Sequence, residues 1–426
     1  MTKPPFTLLN EMLCRHSDIL LLLRNFDIEA NLRQGGDVDL LVSDFAAAES
    51  AMFSILGDPL WITKRSYVRS YFYGWGHVDL AERVLWKTVP YLSEKAVWRD
   101  SVVRDGRRVP HPVDEAIICW FSSLLWGGFT KDKYKDLIQA AASQYPDEFH
   151  VRLARFVGQK MARKLVDIAA SAEWPRALPL TRQVKLSLVK RYGLCRSCLS
   201  LHRYALMEIR LRLRRACLVI VLLGPDGAGK STVIHQLENG ALPGNGLQVL
   251  HWRPQVIPAL GRLSGSETRN AGPAVDPHGK PPHSQLLSLF RLFYYLFDYW
   301  LGSPLKVADS VARNKWVVFD RYAYDMAIDP LRFRLRLPRN LLNFFVRLTP
   351  APDLVFCLDA PTEVLRARKQ EVSGAETERQ RSAYRFFVES LPNGHVIDAS
   401  RQIEDVAGQI HDIVMRHLQS KATCIH

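Results

Sequence analysis

The residues best equipped for chemistry stand together at Gly224-Pro225-Asp226-Gly227-Ala228-Gly229-Lys230-Ser231-Thr232. This spacing, G-x-x-x-x-G-K-S, lets a glycine-rich backbone turn consecutive N–H groups toward phosphate oxygens. Lys230 then reaches the β- and γ-phosphates and Ser231 gives its hydroxyl to Mg²⁺, while Asp226, Ala228 and Thr232 line the same turn. Asp320 supplies a carboxylate on the metal side, and Arg321 after it a planar fork suited to two phosphate oxygens. A second set of acids lies near the start: Asp37 and Asp39, two residues apart, and Asp79 in the run His77-Val78-Asp79-Leu80. Residues i and i+2 of a strand share a face, so Asp37 and Asp39 are expected to chelate one or two Mg²⁺ ions, with Asp79 completing the cluster.

Each set needs elements to hold it. Leu218–Leu223 is apolar throughout and is followed at once by glycines, the pattern of a buried parallel strand feeding a phosphate loop. Similar runs at Leu247–Trp252, Trp316–Asp320, Leu354–Asp359 and His395–Asp398, separated by helical stretches, predict a doubly wound α/β sheet. Ligands gather outside the carboxyl ends of such strands, where Asp320 falls. A Gly-, Pro- and Ser-rich stretch, Ser264–Gln285, is expected to be a loop on that side. Further upstream, short runs at Leu20–Leu23, Leu40–Val42 and His77–Leu80, with a helix near Phe45–Leu56, predict a small α/β unit. From Val113 to Arg215 the apolar spacing is helical, as at Ile117, Phe121 and Leu124. The apolar stretch Leu286–Leu305 is broken by Arg291 and Asp298, too soon to span a bilayer. It reads as a buried helix, with Phe290, Phe293, Tyr294, Phe297 and Trp300 in the core.

The 426 residues exceed one small module and suit two or three domains. A formal charge of +14 favours acidic partners, and 47% hydrophobic residues exclude global disorder. Seven cysteines form no disulfide framework, and Met1–Asn10 lacks the features of a secretory signal, so a cytoplasmic location is expected. Cys195-Arg196-Ser197-Cys198 is a lone C-x-x-C and supports neither zinc nor redox chemistry. The histidines show no metal-like clustering along the sequence. Lys185 to Arg215 carries nine basic residues against the single acid Glu208, more simply a solvated face than a membrane-binding helix.

With these residues in hand, residues 216–426 resemble the thymidylate kinase family of P-loop kinases. The resemblance rests on Asp226–Thr232, on Asp320-Arg321-Tyr322, and on Pro352–Asp359 followed by Pro361-Thr362-Glu363-Val364. It implies a five-stranded parallel sheet, ATP and Mg²⁺, and a lid that brings an arginine to the phosphates. Arg366, Arg368, Arg379 and Arg381 are the candidates, Arg368 foremost as a catalytic residue beside Lys230, Asp320 and Arg321. Three departures concern the acceptor. Asp298-Tyr299 replaces the family's Asp-Arg pair, Ala323–Pro330 lacks its base-reading residues, and Arg253-Pro254 is all that remains of its Arg-Glu-Pro-Gly-Gly.

Residues 1–110 resemble the nucleotidyltransferase superfamily through Gly35-Gly36-Asp37-Val38-Asp39 and Asp79, without that family's upstream Gly-Ser turn. The expected organisation is α/β throughout: a nucleotidyltransferase-like domain over 1–110, a helical extension over 111–215 and the P-loop kinase over 216–426. The expected activity moves the γ-phosphate of ATP to a small nucleotide, sugar or sugar phosphate. The alternatives are metal-dependent nucleotidyl transfer at Asp37, Asp39 and Asp79, and ATP binding without turnover. The expected partner is the small-molecule acceptor; a second copy of the chain, and a membrane surface touched through Lys185–Arg215, are left open. Nucleic acid is not expected.

Overall fold

The computed structural model describes residues 4–33, 36–65, 67–213, 218–239, 246–258, 281–369 and 372–422. They fall into two units, Met1–Ile209 and Arg210–His426. The 215/216 boundary expected from sequence lies on residues outside the described ones, as do residues 264–280 of the expected loop.

In the first unit, β1 (Leu20–Leu22), β2 (Asp37–Val42), β3 (Trp61–Lys64), β4 (Val68–Tyr73) and β5 (Gly76–Ala81) form one sheet in the order β1-β2-β5-β4-β3. Only the β2–β5 pair is parallel. Alternation along the strands splits the sheet into two faces. Val38, Leu40, Val42, Val78, Leu80, Tyr71 and Tyr73 pack with Leu9, Met12, Ala48 and Met52 of the helices Pro5–Arg15 and Phe45–Leu56. The second helix starts where Asp44 Oδ1 accepts from the Ala46 and Ala47 amides at 2.8 and 3.1 Å, an N-cap satisfying two orphan donors.

On the other face, Leu21, Leu23 and Leu41 join the core of the helical zone, which begins with Pro112–Gly127 and includes Trp120, Phe121, Leu153 and Leu165. Asp39 lies two residues before Leu41 on that same face, so the acids sit at the margin of the helical cover. Two short hairpins complete the strand list: β6 (Leu85–Trp86) with β7 (Val89–Pro90), and β8 (Val102–Arg104) with β9 (Arg107–Val109).

In the second unit, β10 (Val219–Leu223), β11 (Leu247–His251), β12 (Trp316–Asp320), β13 (Leu354–Asp359) and β14 (Gly394–Asp398) form an all-parallel sheet ordered β11-β12-β10-β13-β14. β10 and β13 are buried at every residue, which explains why both read as unbroken apolar runs. With β10 central and strands added on both sides, the phosphate loop leaves the sheet between β12 and β13.

The helix Gln285–Gly302 corrects one expectation. Its core stripe is Leu292, Tyr295, Leu296 and Tyr299, whereas Phe290, Phe293, Phe297 and Trp300 are 57%, 40%, 54% and 41% exposed. The sequence is apolar on two faces, and spacing says which residues share a face but not which face meets the sheet. No helix among the described residues is long and apolar enough to cross a membrane.

Candidate functional site

The turn after β10 has the conformation its glycines permit. Gly224 and Gly227 have φ of +144° and +84°, and a Cβ at either would stand 2.5 Å from the carbonyl oxygen of Leu358 or Leu365. Only glycine fits both the angle and the gap. The helix Lys230–Asn239 follows directly, so its free N–H groups open into the loop. Lys230 is 8% exposed and donates to the carbonyls of Gly224 and Pro225, both at 2.9 Å. Burial first, then the Arg321 charge, lowers its pKa to about 8, against the pull of Asp226, Asp320 and Asp325. The ammonium is thus bent back on its own loop, poised to exchange two carbonyls for phosphate oxygens. Ser231 and Thr232 at the helix start are exposed.

The family model for thymidylate kinase matches residues 223–410. The thymidylate kinase of Xanthomonas campestris pv. campestris (strain B100) is 28% identical over 210 residues, covering 48% of this chain and 86% of that relative. That of Xanthomonas oryzae pv. oryzae (strain PXO99A) is 28% identical over 227 residues, covering 50% and 88%. The C-terminal half is a thymidylate kinase-like domain. A solved thymidylate kinase from Candida albicans aligns with a TM-score of 0.35 at 17% identity, over 48% of this chain and 93% of that one.

Around the loop, the thymidylate kinase-like domain holds a charged network. Arg321 follows β12 with φ of +72°, a left-handed conformation that costs a non-glycine residue about 1 kcal/mol. That kink sends its guanidinium to Asp226 Oδ1, to Asp325 Oδ1 at 2.9 Å and to the Tyr384 hydroxyl at 3.1 Å. Asp325 is fully buried and also accepts from the Tyr384 hydroxyl at 2.6 Å and the Tyr322 amide at 3.0 Å. Burial opposes the Arg321 charge, but Tyr384, Asp325 and Asp226 outweigh it and raise the pKa, so the guanidinium stays protonated. Arg332 donates to Asp226 Oδ2 at 2.8 Å. Nothing in the short sequence pattern marked Arg332; the basic run Arg332, Arg334, Arg336 was the available signal.

Asp320 ends β12 with Oδ2 at 3.4 Å from His251 Nδ1, while its buried Oδ1 has no hydrogen-bond partner among the described residues. An orphaned carboxylate oxygen at the carboxyl edge of the sheet suits a cation.

The arginines singled out as lid candidates are mostly engaged. Arg381 grips Asp359 through two hydrogen bonds at 2.9 and 3.2 Å, Arg379 grips Glu376 at 2.7 and 2.6 Å, and Arg368 donates to the Ala399 carbonyl at 2.9 Å. Arg366 is exposed. Asp298, in the departure from the family pattern, is wholly internal. Its Oδ2 accepts from Arg253 and the Gln255 amide, and its Oδ1 from the Val256 and Ile257 amides, all at 2.8 to 2.9 Å. Arg253, 4% exposed, is consumed in this brace.

In the first unit, Asp37, Asp39 and Asp79 do share one face, but not one role. Asp39 is bound by Arg24 at 2.5 Å, and Arg24 stands 3.6 Å from Asp37. Burial pushes the Asp39 carboxyl up and Arg24 only partly offsets it. The group whose ligand atoms lie within 4.8 Å of one another is Asp37, His77 and Asp79. The structure adds two partners to the expected acids: Arg24 engages Asp39, and His77 stands with Asp37 and Asp79. Neither follows from spacing along the chain, because Arg24 arrives from the segment after β1 and His77 meets Asp37 only through the pairing of β5 with β2.

Proposed function

We propose that the C-terminal domain transfers the γ-phosphoryl group of ATP to a small acceptor other than thymidylate. The observation that carries this reading is the Lys230 loop at the carboxyl edge of the parallel sheet, with the orphaned Asp320 oxygen beside it. The similarity to thymidylate kinases supports an ATP-dependent kinase.

Backbone N–H groups of the loop and Lys230 hold the phosphates, and Ser231 with Asp320 are the residues suited to Mg²⁺. When bound, that ion neutralises charge on the triphosphate. Arg321, already fixed by Asp226 and Asp325, needs little reordering to present its remaining donors where charge builds up in transfer. Arg332 places a second guanidinium on the same aspartate. The acceptor reading rests on Asp298 and Arg253, which brace each other and the three loop residues Gln255, Val256 and Ile257, and on Tyr299, which stands where the family pattern has a substrate-holding arginine.

The test is γ-phosphate transfer from labelled ATP with Mg²⁺, using the full chain and a panel of nucleotides, sugars and sugar phosphates that includes thymidylate. Transfer to an acceptor other than thymidylate is expected, with kcat about a thousandfold lower in Lys230→Ala. Efficient phosphorylation of thymidylate would overturn the acceptor assignment, and transfer undiminished in Lys230→Ala the whole reading.

A further inference from the structure

We propose that Asp37, His77 and Asp79 bind one divalent first-row transition ion, and that Arg24 occupies the electrostatic place of a second. The parallel register of β2 and β5 sets Asp37 opposite His77 and Asp39 opposite Asp79. Because side chains alternate, these four make a two-by-two array on one face. The pairing continues outward: β4 sets Phe72 opposite His77 and Ser70 opposite Asp79, and β3 sets Trp61 opposite Phe72.

The aromatic row fixes the imidazole. Trp61 stacks on Phe72 with centroids 4.5 Å apart, and Phe72 on His77 at 4.8 Å. His77 is 7% exposed, and one of its ring nitrogens lies within 4.8 Å of oxygens from both Asp37 and Asp79. Asp79 Oδ1 is buried without a hydrogen-bond partner among the described residues. A buried oxygen left unsatisfied on Asp79, in a group whose carboxylate and imidazole ligand atoms all lie within 4.8 Å of one another, suits ligands gathered around one ion.

Charge sets the number of ions. Asp37, Asp39 and Asp79 contribute three negative charges and Arg24 one positive. The remaining two leave room for one divalent ion, and with Lys131 already acting on Asp37 and Asp39, a second would leave an excess in a partly buried site. The ligand set sets its kind. An imidazole nitrogen with two carboxylates suits Mn²⁺ or Zn²⁺, whereas Mg²⁺ prefers oxygen ligands alone. The array therefore differs from two Mg²⁺ ions held by three aspartates: Asp39 serves Arg24, and His77 replaces it as ligand.

Full-length protein, stripped with chelator and free of nucleotide, is titrated with Mn²⁺, and the free ion is followed by electron paramagnetic resonance. One Mn²⁺ per chain is expected, retained in Lys230→Ala, displaced by Zn²⁺ and not by equimolar Mg²⁺. Affinity should fall at least about tenfold in His77→Ala and in the isosteric Asp79→Asn, with unchanged circular dichroism. His77→Asn serves if the alanine variant does not fold, and the rise in melting temperature with Mn²⁺ should vanish in each. Two ions per chain, equal competition by Mg²⁺, or binding unaltered by the His77 and Asp79 substitutions would overturn the proposal.

Discussion

Each unit contains an arginine closed on an aspartate, and the two pairs do opposite work. Arg24 and Asp39 lie on a sheet face at the margin of a helical cover, among acids that outnumber the guanidinium. Arg321 and Asp226 lie beyond the ends of strands, where Lys230, Arg321 and Arg332 meet Asp226, Asp320 and Asp325 in equal number. The first arrangement retains a deficit that only cations can fill. The second is balanced internally and can admit an anion once a cation travels with it. The sign of the missing partner is thus written in what each arginine leaves unmatched, not in the arginine–aspartate contact itself.

Breaking the first pair should have the larger effect on stability. Arg24→Met strands Asp39 beside Asp37 and is expected to destabilise the N-terminal unit by about 3 kcal/mol, measured by urea unfolding. Arg24→Met combined with Asp39→Leu should recover most of that loss; a double variant as unstable as the single one would mean that packing, not charge, makes Arg24 necessary.

A buried acid away from both pairs gives the reference. Burial raises the Glu115 carboxyl from 4.5 to about 7, against a small opposing pull from Arg104. Below pH 4.5 the group is neutral whether the chain is folded or not. As pH rises toward 7 the unfolded chain ionises first, so stability should fall by about 3 kcal/mol over that window and level off above it. Glu115→Gln should remove this slope, which denaturation at pH 5 and pH 8 would reveal.

The smallest change belongs to the second pair. Arg332 is 23% exposed at its side chain and shares Asp226 with Arg321, so Arg332→Met should cost less than about 1 kcal/mol of stability. Its effect should appear instead as a raised KM for the acceptor, with the KM for ATP little altered.

What the sequence disclosed, and what it hid, follows from range. The loop Gly224–Thr232 is contiguous, so its glycines, lysine and flanking apolar strand announce both conformation and chemistry. The five strands of the second sheet were equally legible: β10, β12 and β13, buried on both faces, leave apolar runs without alternation, and the edge strands β11 and β14 are short runs set between helical stretches. His77 was not legible as a ligand: forty residues separate it from Asp37, and only the β2–β5 register makes them neighbours. Strands β3 and β4 escaped notice because Arg65 and Tyr67, between them, interrupt the apolar pattern without a strong turn signal. On Gln285–Gly302, two apolar stripes competed, and the sequence could not say that Leu292 and Leu296 would be chosen over Phe290 and Phe297.

The β2–β5 alignment also has a practical outcome. Val38, Val78 and Leu80 alternate with the polar quartet, so sliding one strand past the other by a single residue would carry half of that quartet into the greasy layer beneath. Such slippage would hardly disturb a helical spectrum. Ion uptake would then serve as a gauge of correct strand alignment in refolded or mutated protein, sensitive to errors that bulk secondary-structure signals overlook.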